Sequence, residues 1–289
     1  MIRIGVYGGS GYTGQELLRL LIGHPGAEVV AATSRRFAGV PVSAVYPVFA
    51  GLTDLVYTDA SPEEVAGLAD FIFLALPHGI SMEFAPIFIR AGRKVVDLSA
   101  DFRLRDAASY EAWYGRHTAA GTLGDAVYGL PELYREQIRN ASLVANPGCY
   151  PTSIILGLAP VLRSRWIDAV SIIADSKSGV SGAGRDLQIA SLFCEVEGGF
   201  KAYKIGQHRH TPEIEQELSL LAGREMKISF TPHLLPVKRG ILSTIYATLE
   251  QDVTAEEATA LYQTFYRKEP FVRVCPAGQF PNLSSVVGS

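Results

Sequence analysis

The sequence has 289 residues, 48% of them hydrophobic and 19% charged, and its formal net charge is −3. This length suits two domains with sizeable cores, and the near-neutral charge, without a long Lys/Arg block, argues against nucleic acid as the main partner. No apolar run approaches the roughly 20 residues that cross a bilayer, and no charged leader precedes the first apolar segment. We therefore expect a cytoplasmic protein with no membrane partner.

The cysteine pattern argues against two further classes. Cys149, Cys194 and Cys275 are odd in number and far apart, which is not typical of a disulfide framework. No CxxC pair or Cys/His cluster suggests zinc, so we expect no metal site.

Apolar runs of strand length alternate with amphipathic segments in the first half of the chain. The pattern predicts strands at residues 2–7, 28–33, 71–76 and 94–98, and helices at residues 13–22 and 81–90. Short apolar runs separated by helices indicate parallel strands joined by crossovers and buried on both faces. We therefore predict a Rossmann-type doubly wound parallel sheet in a domain of residues 1–147.

The pattern changes near Asn146. It predicts helices at residues 152–162, 212–221 and 255–266, and strands at residues 170–175, 226–232 and 241–249. Longer strands with fewer intervening helices favour a mixed, largely antiparallel sheet. The prediction for residues 148–289 is a second, α+β domain.

A glycine-rich loop, GGSGYTG at residues 8–14, follows the first predicted strand. Gly9, Gly11 and Gly14 fit G-x-G-x-x-G, while Gly8, Gly11 and Gly14 fit G-x-x-G-x-x-G. Such a loop lets a pyrophosphate approach the helix N-terminus, where free N–H groups favour an anion. The context favours a dinucleotide site, and the alternative is a turn that only packs the helix on the strand.

The end of the second predicted strand helps to choose the cofactor. An NAD site usually has an acidic residue there, which binds the ribose hydroxyls. This chain instead has Ser34, Arg35 and Arg36, with no carboxylate nearby in the sequence. Two arginines and a serine suit a 2′-phosphate, so the pattern favours NADP(H) over a merely solvated basic corner.

Cys149 lies in NPGCYPT, residues 146–152, just ahead of a predicted helix. That placement directs free N–H groups and the positive end of the helix dipole at the sulfur, which favours the thiolate. We interpret Cys149 as a nucleophile, and Cys194 and Cys275 as packing residues.

A thiolate that works with a nicotinamide implies a particular chemistry. Hydride does not add usefully to a carboxylate, so the acid must first be activated. Attack on an acyl phosphate gives a thioester with loss of phosphate, and hydride then reduces the thioester to an aldehyde. The reaction also needs a proton donor and an oxyanion site.

Histidine is the side chain best suited to move a proton near neutral pH, and two of them precede a predicted helix. If residues 208–210 are extended, His208 and His210 point the same way and Arg209 points the other. We favour His208 as the acid/base, with His210 as the competitor. The alternative is a surface loop whose histidines only cap the helix.

Two further segments could bind anions or a ligand backbone. KSGVSGAGR, residues 177–185, follows a predicted strand, and its Arg185 could clamp a carboxylate or a phosphate. DLSADFR, residues 97–103, ends a first-domain strand, where doubly wound sheets bind ligands. Arg103 is either an anion ligand or one half of a structural ion pair with Asp101.

These motifs together resemble the N-acetyl-gamma-glutamyl-phosphate reductase family of arginine biosynthesis, over essentially the whole chain. The motifs that carry the resemblance are GGSGYTG (8–14), LPHG (76–79), DLSADFR (97–103), NPGCYPT (146–152), SGVSGAGR (178–185), HRHTPEI (208–214) and RGIL (239–242). Each is modest alone, but their order is highly specific.

The resemblance implies an NADPH-dependent reduction of N-acetyl-L-glutamyl 5-phosphate to the 5-semialdehyde and phosphate. It implies that Cys149 carries the thioacyl group, that a histidine of HRH handles protons, and that the second domain is a catalytic and dimerisation domain of a homo-oligomer, either a dimer or a tetramer. The resulting cofactor-binding set is Gly8, Ser10, Gly11, Tyr12, Thr13, Gly14, Ser34, Arg35, Arg36, Ser181 and Gly182. The substrate-binding set is Arg103, Asn146, Ser178 and Arg185.

Two alternatives stay open. Residues 34–39, SRRFAG, also resemble reductases that act on a carrier-protein-bound aminoadipyl phosphate in lysine biosynthesis, and a non-catalytic NADP-binding protein could keep the same fold. The resemblance further implies a C-terminal strand and long helix that this chain lacks. We expect from that difference an exposed apolar face, weaker cofactor affinity and impaired activity, with Asn282 and Ser284 near the nicotinamide.

Overall fold

A computed structural model describes residues 1–288 of the chain. The chain divides after Pro147 into two units, each with its own sheet. No helix among the described residues is both long and apolar enough to cross a membrane.

The first unit is built on a six-stranded sheet in which every pairing is parallel. Its strands are β1 (Ile2–Tyr7), β2 (Ala27–Ala32), β3 (Phe71–Leu74), β4 (Lys94–Asp97), β5 (Ala126–Tyr128) and β6 (Leu143–Ala145). Their order across the sheet is β2-β1-β3-β4-β6-β5. The strand order therefore reverses between β1 and β3, and such a switch point is where doubly wound sheets bind ligands. The predicted Rossmann-type sheet is confirmed.

The helices of the first unit cover both faces of this sheet. They are α1 (Tyr12–Ile22), α2 (Val42–Val45), α3 (Pro62–Leu68), α4 (Ser81–Arg90), α5 (Ala107–Tyr114) and α6 (Pro131–Asn140). Within β3, Ile72 and Leu74 join one apolar cluster, while Phe71 and Phe73 pack against another. Burial on both faces explains why these strands are continuous apolar runs in the sequence.

A mixed four-stranded sheet forms the second unit. Its elements are α7 (Cys149–Arg163), β7 (Ile173–Gly179), α8 (Phe193–Val196), β8 (Lys201–Ala202), α9 (Thr211–Ala222), β9 (Ser229–Leu235), β10 (Ile241–Tyr246) and α10 (Ala255–Phe265). The order is β10-β7-β9-β8, with β7 and β9 parallel and the other two pairings antiparallel. This confirms the expected mixed sheet. Ile154, Ile155 and Leu158 of α7 are buried in its core.

Several predicted boundaries in the second unit are wrong. β9 spans Ser229–Leu235 instead of residues 226–232, and β10 ends at Tyr246 instead of residue 249. β7 runs on to Gly179 instead of ending at Asp175, because Ser176 and Ser178 lie on its buried side, where small hydroxyl side chains fit. The Ser176 and Ser153 hydroxyls each lie 2.7 Å from the Ser243 hydroxyl, so the buried polar atoms are satisfied. α7 begins three residues earlier than expected, at Cys149.

The carboxylate of Asp97 is fully buried at the end of β4. It accepts hydrogen bonds from the Ser99 N–H at 3.0 Å and the Ser99 hydroxyl at 2.7 Å. Burial outweighs these bonds and raises the pKa of Asp97 from 3.8 to about 6. The folded state therefore binds the proton more tightly than the unfolded state does.

We expect Asp97→Asn to remove a pH dependence of stability. The wild-type free energy of unfolding should fall as the pH rises from 3.8 to about 6, because the buried charge then forms only at a cost. That cost reaches roughly 3 kcal/mol at neutral pH. Urea unfolding between pH 4 and 7 should show a flatter profile for the variant and higher stability at pH 7. A variant as pH-dependent as the wild type would contradict this.

Candidate active site

Two glycines fix the shape of the loop that follows β1. Gly8 has φ +77°, and a Cβ there would lie 2.2 Å from the Ala75 carbonyl oxygen. A Cβ on Gly14 would lie 2.3 Å from the Gly8 carbonyl oxygen. Both positions therefore exclude any side chain for reasons of packing alone.

Packing does not require a glycine at position 11, in contrast to positions 8 and 14. Gly11 is the N-cap of α1, and the nearest atom to a Cβ at this position would be the Gly8 carbonyl oxygen, at 3.6 Å. Within the described chain no side chain caps α1, and its first turn carries no acid. The N–H groups of Tyr12 and Thr13 are thus directed at an open space that suits an anion. The loop fits the pyrophosphate of a dinucleotide.

The end of β2 is tied to this loop by two serines. The Ser34 hydroxyl lies 2.8 Å from the Ser10 hydroxyl, and Ser34 is buried. Arg35 is exposed, whereas the guanidinium of Arg36 lies 5.2 Å from the centre of the Phe37 ring. The two predicted arginines therefore come directly after a serine that contacts the glycine loop.

A carboxylate that is distant in the sequence lies near these arginines in the structure. Asp59 lies 3.9 Å from the Arg35 guanidinium, because Thr58 forms a bridge with Thr33 at the end of β2. The pair is exposed, at 84% for Arg35 and 63% for Asp59, so it holds the arginine only weakly. Asp59 is far from Arg35 in the sequence, so no local pattern indicates the contact.

Arg103 is buried and binds main-chain oxygens. Its Nε donates to the Asn146 carbonyl at 2.7 Å, and its Nη2 donates to the Leu98 carbonyl at 2.9 Å. The Asn146 side chain donates to the Pro147 carbonyl at 3.2 Å. These contacts tie the segment after β4 to the segment after β6. They favour a structural role for Arg103, and its predicted role as a substrate ligand stays a prediction without support from these contacts.

Cys149 is exposed and is the first residue of α7. The N-cap, Gly148, has no side chain with which to cap the helix, and the first turn carries no acid. The sulfur therefore lies where the positive end of the helix dipole stabilises a thiolate. The prediction that Cys194 fills a core is wrong, since it too is exposed, while Cys275 is half-buried.

The two histidines share one side of a turn. Residues 208–210 are not extended, because the Thr211 N–H donates to the His208 carbonyl at 2.9 Å and closes a turn. The rings of His208 and His210 nevertheless lie 4.8 Å apart and both contact the Tyr150 ring, at 5.4 Å and 6.0 Å. Arg209 is exposed. The two rings are thus brought together by a turn, and not by the extended segment that the prediction assumed.

His208 is neutral at physiological pH. Burial, assisted by the positive charge of Lys204, lowers the pKa of His208 to about 4. Its Nδ1 accepts the His210 N–H at 3.1 Å, which leaves the ring proton on Nε2. His208 therefore presents a hydrogen-bond donor.

Two tyrosines adjoin the cysteine and were not predicted from the sequence. The hydroxyls of Tyr150 and Tyr203 lie 2.9 Å apart. Burial raises the pKa of both tyrosines, and Tyr150 directly follows Cys149 in α7. Tyr203 lies in no motif that the sequence made conspicuous.

The segment after β7 divides into buried and exposed parts. Ser178 is buried, and its hydroxyl donates to the Gly179 carbonyl at 3.0 Å, which does not favour its predicted contact with substrate. The Ser181 N–H donates to the Lys238 carbonyl at 3.0 Å, so the loop is fastened to the β9–β10 connection. Gly182 and Arg185 are exposed. Their predicted roles stay predictions.

Comparison with known proteins adds to this geometry. Residues 3–141 match the family model "Semialdehyde dehydrogenase, NAD binding domain", and residues 149–289 match "Semialdehyde dehydrogenase, dimerisation domain". A protein named N-acetyl-gamma-glutamyl-phosphate reductase from Desulfotalea psychrophila is 58% identical over 100% of this chain and 84% of its own length. Proteins of the same name from Geobacter metallireducens and Syntrophobacter fumaroxidans are 56% and 55% identical, with the same coverage.

The chain belongs to the N-acetyl-gamma-glutamyl-phosphate reductase family. Its first unit is accordingly an NAD(P)-binding domain of the semialdehyde dehydrogenase type.

More distant solved structures share the fold of this reductase family. Aspartate semialdehyde dehydrogenase II from Vibrio cholerae has a TM-score of 0.71 at 15% identity, over 98% of this chain and 84% of its own. The enzyme from Candida albicans, solved with NADP, has a TM-score of 0.66 at 16% identity, over 93% of this chain and 76% of its own. At these identities the likeness concerns the fold alone.

Proposed function

We propose that this chain reduces N-acetyl-L-glutamyl 5-phosphate to N-acetyl-L-glutamate 5-semialdehyde and phosphate with NADPH, in the arginine pathway and in the cytoplasm. The observation that carries the proposal is an exposed Cys149 at the N-terminus of α7, in a chain whose relatives bear the reductase name. An exposed thiolate and an acyl phosphate are a matched nucleophile and electrophile.

The first chemical step belongs to Cys149. Its thiolate attacks the acyl carbon, a C–S bond forms, and the bond to the phosphate oxygen breaks, which leaves a thioester on the protein. NADPH, when bound, supplies hydride to the thioester carbonyl. Departure of the aldehyde breaks the C–S bond and restores the thiolate.

The histidines divide the remaining work in this proposal. His208, neutral and protonated on Nε2, donates a hydrogen bond to the carbonyl oxygen as negative charge develops on it. A neutral imidazole of this kind is a poor source of a full proton, so we assign proton transfer to the departing phosphate to His210. The proposal thus differs from the sequence-based preference, which favoured His208 as the acid/base.

The cofactor site in this proposal is the loop after β1. The first turn of α1 holds the pyrophosphate, and Ser10 and Ser34 set the end of β2 against the loop. Arg35 and Arg36 then bind the 2′-phosphate that distinguishes NADP from NAD.

Replacing both arginines should weaken the binding of NADPH and leave the binding of NADH almost unchanged. We expect Arg35→Ala/Arg36→Ala to raise the Kd for NADPH by about 100-fold or more, because two charge-assisted hydrogen bonds of about 1.5–3 kcal/mol each are lost. The Kd for NADH should stay within twofold, as measured by quenching of protein fluorescence. Arg139→Ala, an exposed arginine of α6, is the matched control. Equal losses for NADH and NADPH would contradict the assignment.

The second unit is proposed to form a homodimer, which can assemble further into the tetramer that the family resemblance also allows. Support comes from the family model's description as a dimerisation domain and from the outer face of the sheet, where Ile173, Leu242 and Tyr246 are 47%, 36% and 57% exposed. Exposed apolar side chains on adjacent strands are typical of an interface. A monomer in sedimentation equilibrium at micromolar concentration would contradict this.

One assay tests the proposed reaction. Run in reverse, the enzyme should reduce NADP only when both N-acetyl-L-glutamate 5-semialdehyde and phosphate are present. A carrier-protein-linked semialdehyde, assayed side by side, should be turned over at least tenfold more slowly. Phosphate-independent turnover, or faster turnover of the carrier-linked substrate, would contradict the proposal.

A further inference from the structure

A buried acid of α9 reaches across to the helix that begins with Cys149. Glu213 is the third residue of α9 and is only 1% exposed. Its Oε1 accepts the Gly148 N–H at 2.8 Å, across 65 residues of sequence. Gly148 is the N-cap of α7 and directly precedes Cys149.

Other helices of the same chain use an acid at this position differently. In α3, Glu64 accepts the N–H of Ser61, the N-cap of its own helix. In α10, Glu257 does the same for Thr254. A third-position acid ordinarily closes such a capping box within one helix. In α9 the carboxylate instead serves the N-cap of another helix.

The hydrogen bond between Glu213 and Gly148 connects the turn before Cys149 with the turn that holds the two histidines. The N-cap of α9 is His210, so the backbone that leaves the histidine turn enters the helix that holds Glu213. The acceptor for Gly148 therefore sits three residues after a proposed catalytic histidine. Gly148 has no side chain of its own with which to fix the turn, and its N–H lies in a buried setting.

Stability alone is a weak reason to keep this carboxylate. Burying a charged group costs several kcal/mol unless hydrogen bonds and nearby dipoles compensate it. The N-termini of α7 and α9 both direct positive ends of helix dipoles toward this region, which offsets part of that cost. A group retained at such a cost is suited to fixing geometry.

We infer that Glu213 is a positioning residue, which holds Gly148 and so keeps Cys149 at the start of α7 in register with the histidine turn. The inference rests on the proposed function in that Cys149 is taken as the nucleophile. Glu213 acts through the Gly148 N–H, and it needs an acceptor atom at Oε1 more than it needs a charge.

Two substitutions of similar volume separate these requirements. Glu213→Gln keeps an acceptor oxygen, whereas Glu213→Met fills the space without one. Alkylation by iodoacetamide, mapped by mass spectrometry, reports on Cys149 directly, and the exposed Cys194 in the same chain is an internal reference. We expect the ratio of Cys149 to Cys194 rates to fall at least fivefold in Glu213→Met and to stay within twofold in Glu213→Gln.

The matched control is Glu217→Met, which replaces the other fully buried acid of α9, one turn further on. It should leave the ratio within twofold. A wild-type ratio in Glu213→Met would overturn the inference, as would an equal loss in Glu217→Met or in Glu213→Gln. If Glu213→Met does not fold, Glu213→Asp takes its place with the same expected loss, because the shortened side chain no longer reaches Gly148.

Turnover provides the second readout. In the reductase assay, Glu213→Met should lower kcat at least tenfold and leave the KM for NADPH within twofold, whereas Glu213→Gln should restore most of kcat. Loss through KM alone would overturn the inference. Alkylation needs no substrate, so a wild-type chain without reductase activity would defeat the proposed function while the alkylation ratios still decide the role of Glu213.

Discussion

Cys149→Ser is expected to lower kcat of the reductase reaction by about a thousandfold or more while the Kd for NADPH stays within twofold. The sulfur sits at a helix N-terminus whose N-cap, Gly148, has no side chain, and the helix dipole there stabilises a thiolate but does far too little to ionise a serine hydroxyl. The substitution changes one atom and leaves the helix start unaltered. Steady-state assays and fluorescence titration of NADPH measure the two quantities.

Cys194→Ser is the matched control for this experiment. Cys194 is also exposed, but it lies in the short helix α8 and has no neighbouring histidine pair in our assignment of the site. Its variant should keep at least half of wild-type kcat, and iodoacetamide should inactivate it as fast as it inactivates the wild type. A Cys149→Ser enzyme with a tenth of wild-type kcat would exclude the thioester route.

The sequence predicted the strands whose two faces are both buried. Residues of β1 to β4 are mostly apolar, with charged residues only near the strand ends, and short apolar runs of this kind between amphipathic helices are typical of parallel strands covered on both sides. It missed β5 and β6, which are only three residues long and lie at one side of the sheet. It also placed β7 too early, because Ser176 and Ser178 have low strand propensity and are stabilised by partners that only the fold supplies.

In the candidate site, too, features set by neighbouring residues could be predicted from the sequence, whereas contacts between distant residues could not. The environment of Cys149 could be predicted because a proline–glycine turn and a helix start lie beside it in the sequence. Asp59, Tyr203 and Glu213 could not, since each meets its partner across 24 to 65 residues of chain. Arg103 illustrates the converse, because a charged residue that looks like an anion ligand is buried against carbonyl oxygens.

Gly14→Ala and Gly11→Ala should separate folding from cofactor binding in the glycine loop. A methyl group on Gly14 meets three backbone atoms of the loop at 2.3–2.7 Å, so the loop must move, and we expect a loss of roughly 3 kcal/mol in stability together with NADPH binding. A methyl group on Gly11 meets only the Gly8 carbonyl oxygen, at 3.6 Å, which is an ordinary van der Waals contact, and φ −79° suits alanine. Stability should therefore stay within about 1 kcal/mol of wild type.

The decisive quantity is the NADPH affinity of Gly11→Ala, which should fall at least tenfold even though the protein is as stable as wild type. Its methyl group occupies the space into which the first turn of α1 directs its N–H groups, and a pyrophosphate needs that space to approach the backbone. A methyl group on Gly23, at the other end of α1, meets no atom within 4 Å, and Gly23→Ala should change neither stability nor affinity. Normal NADPH binding by Gly11→Ala would mean that the loop is glycine-rich for packing alone, as Gly8 and Gly14 are, and that the pyrophosphate binds elsewhere.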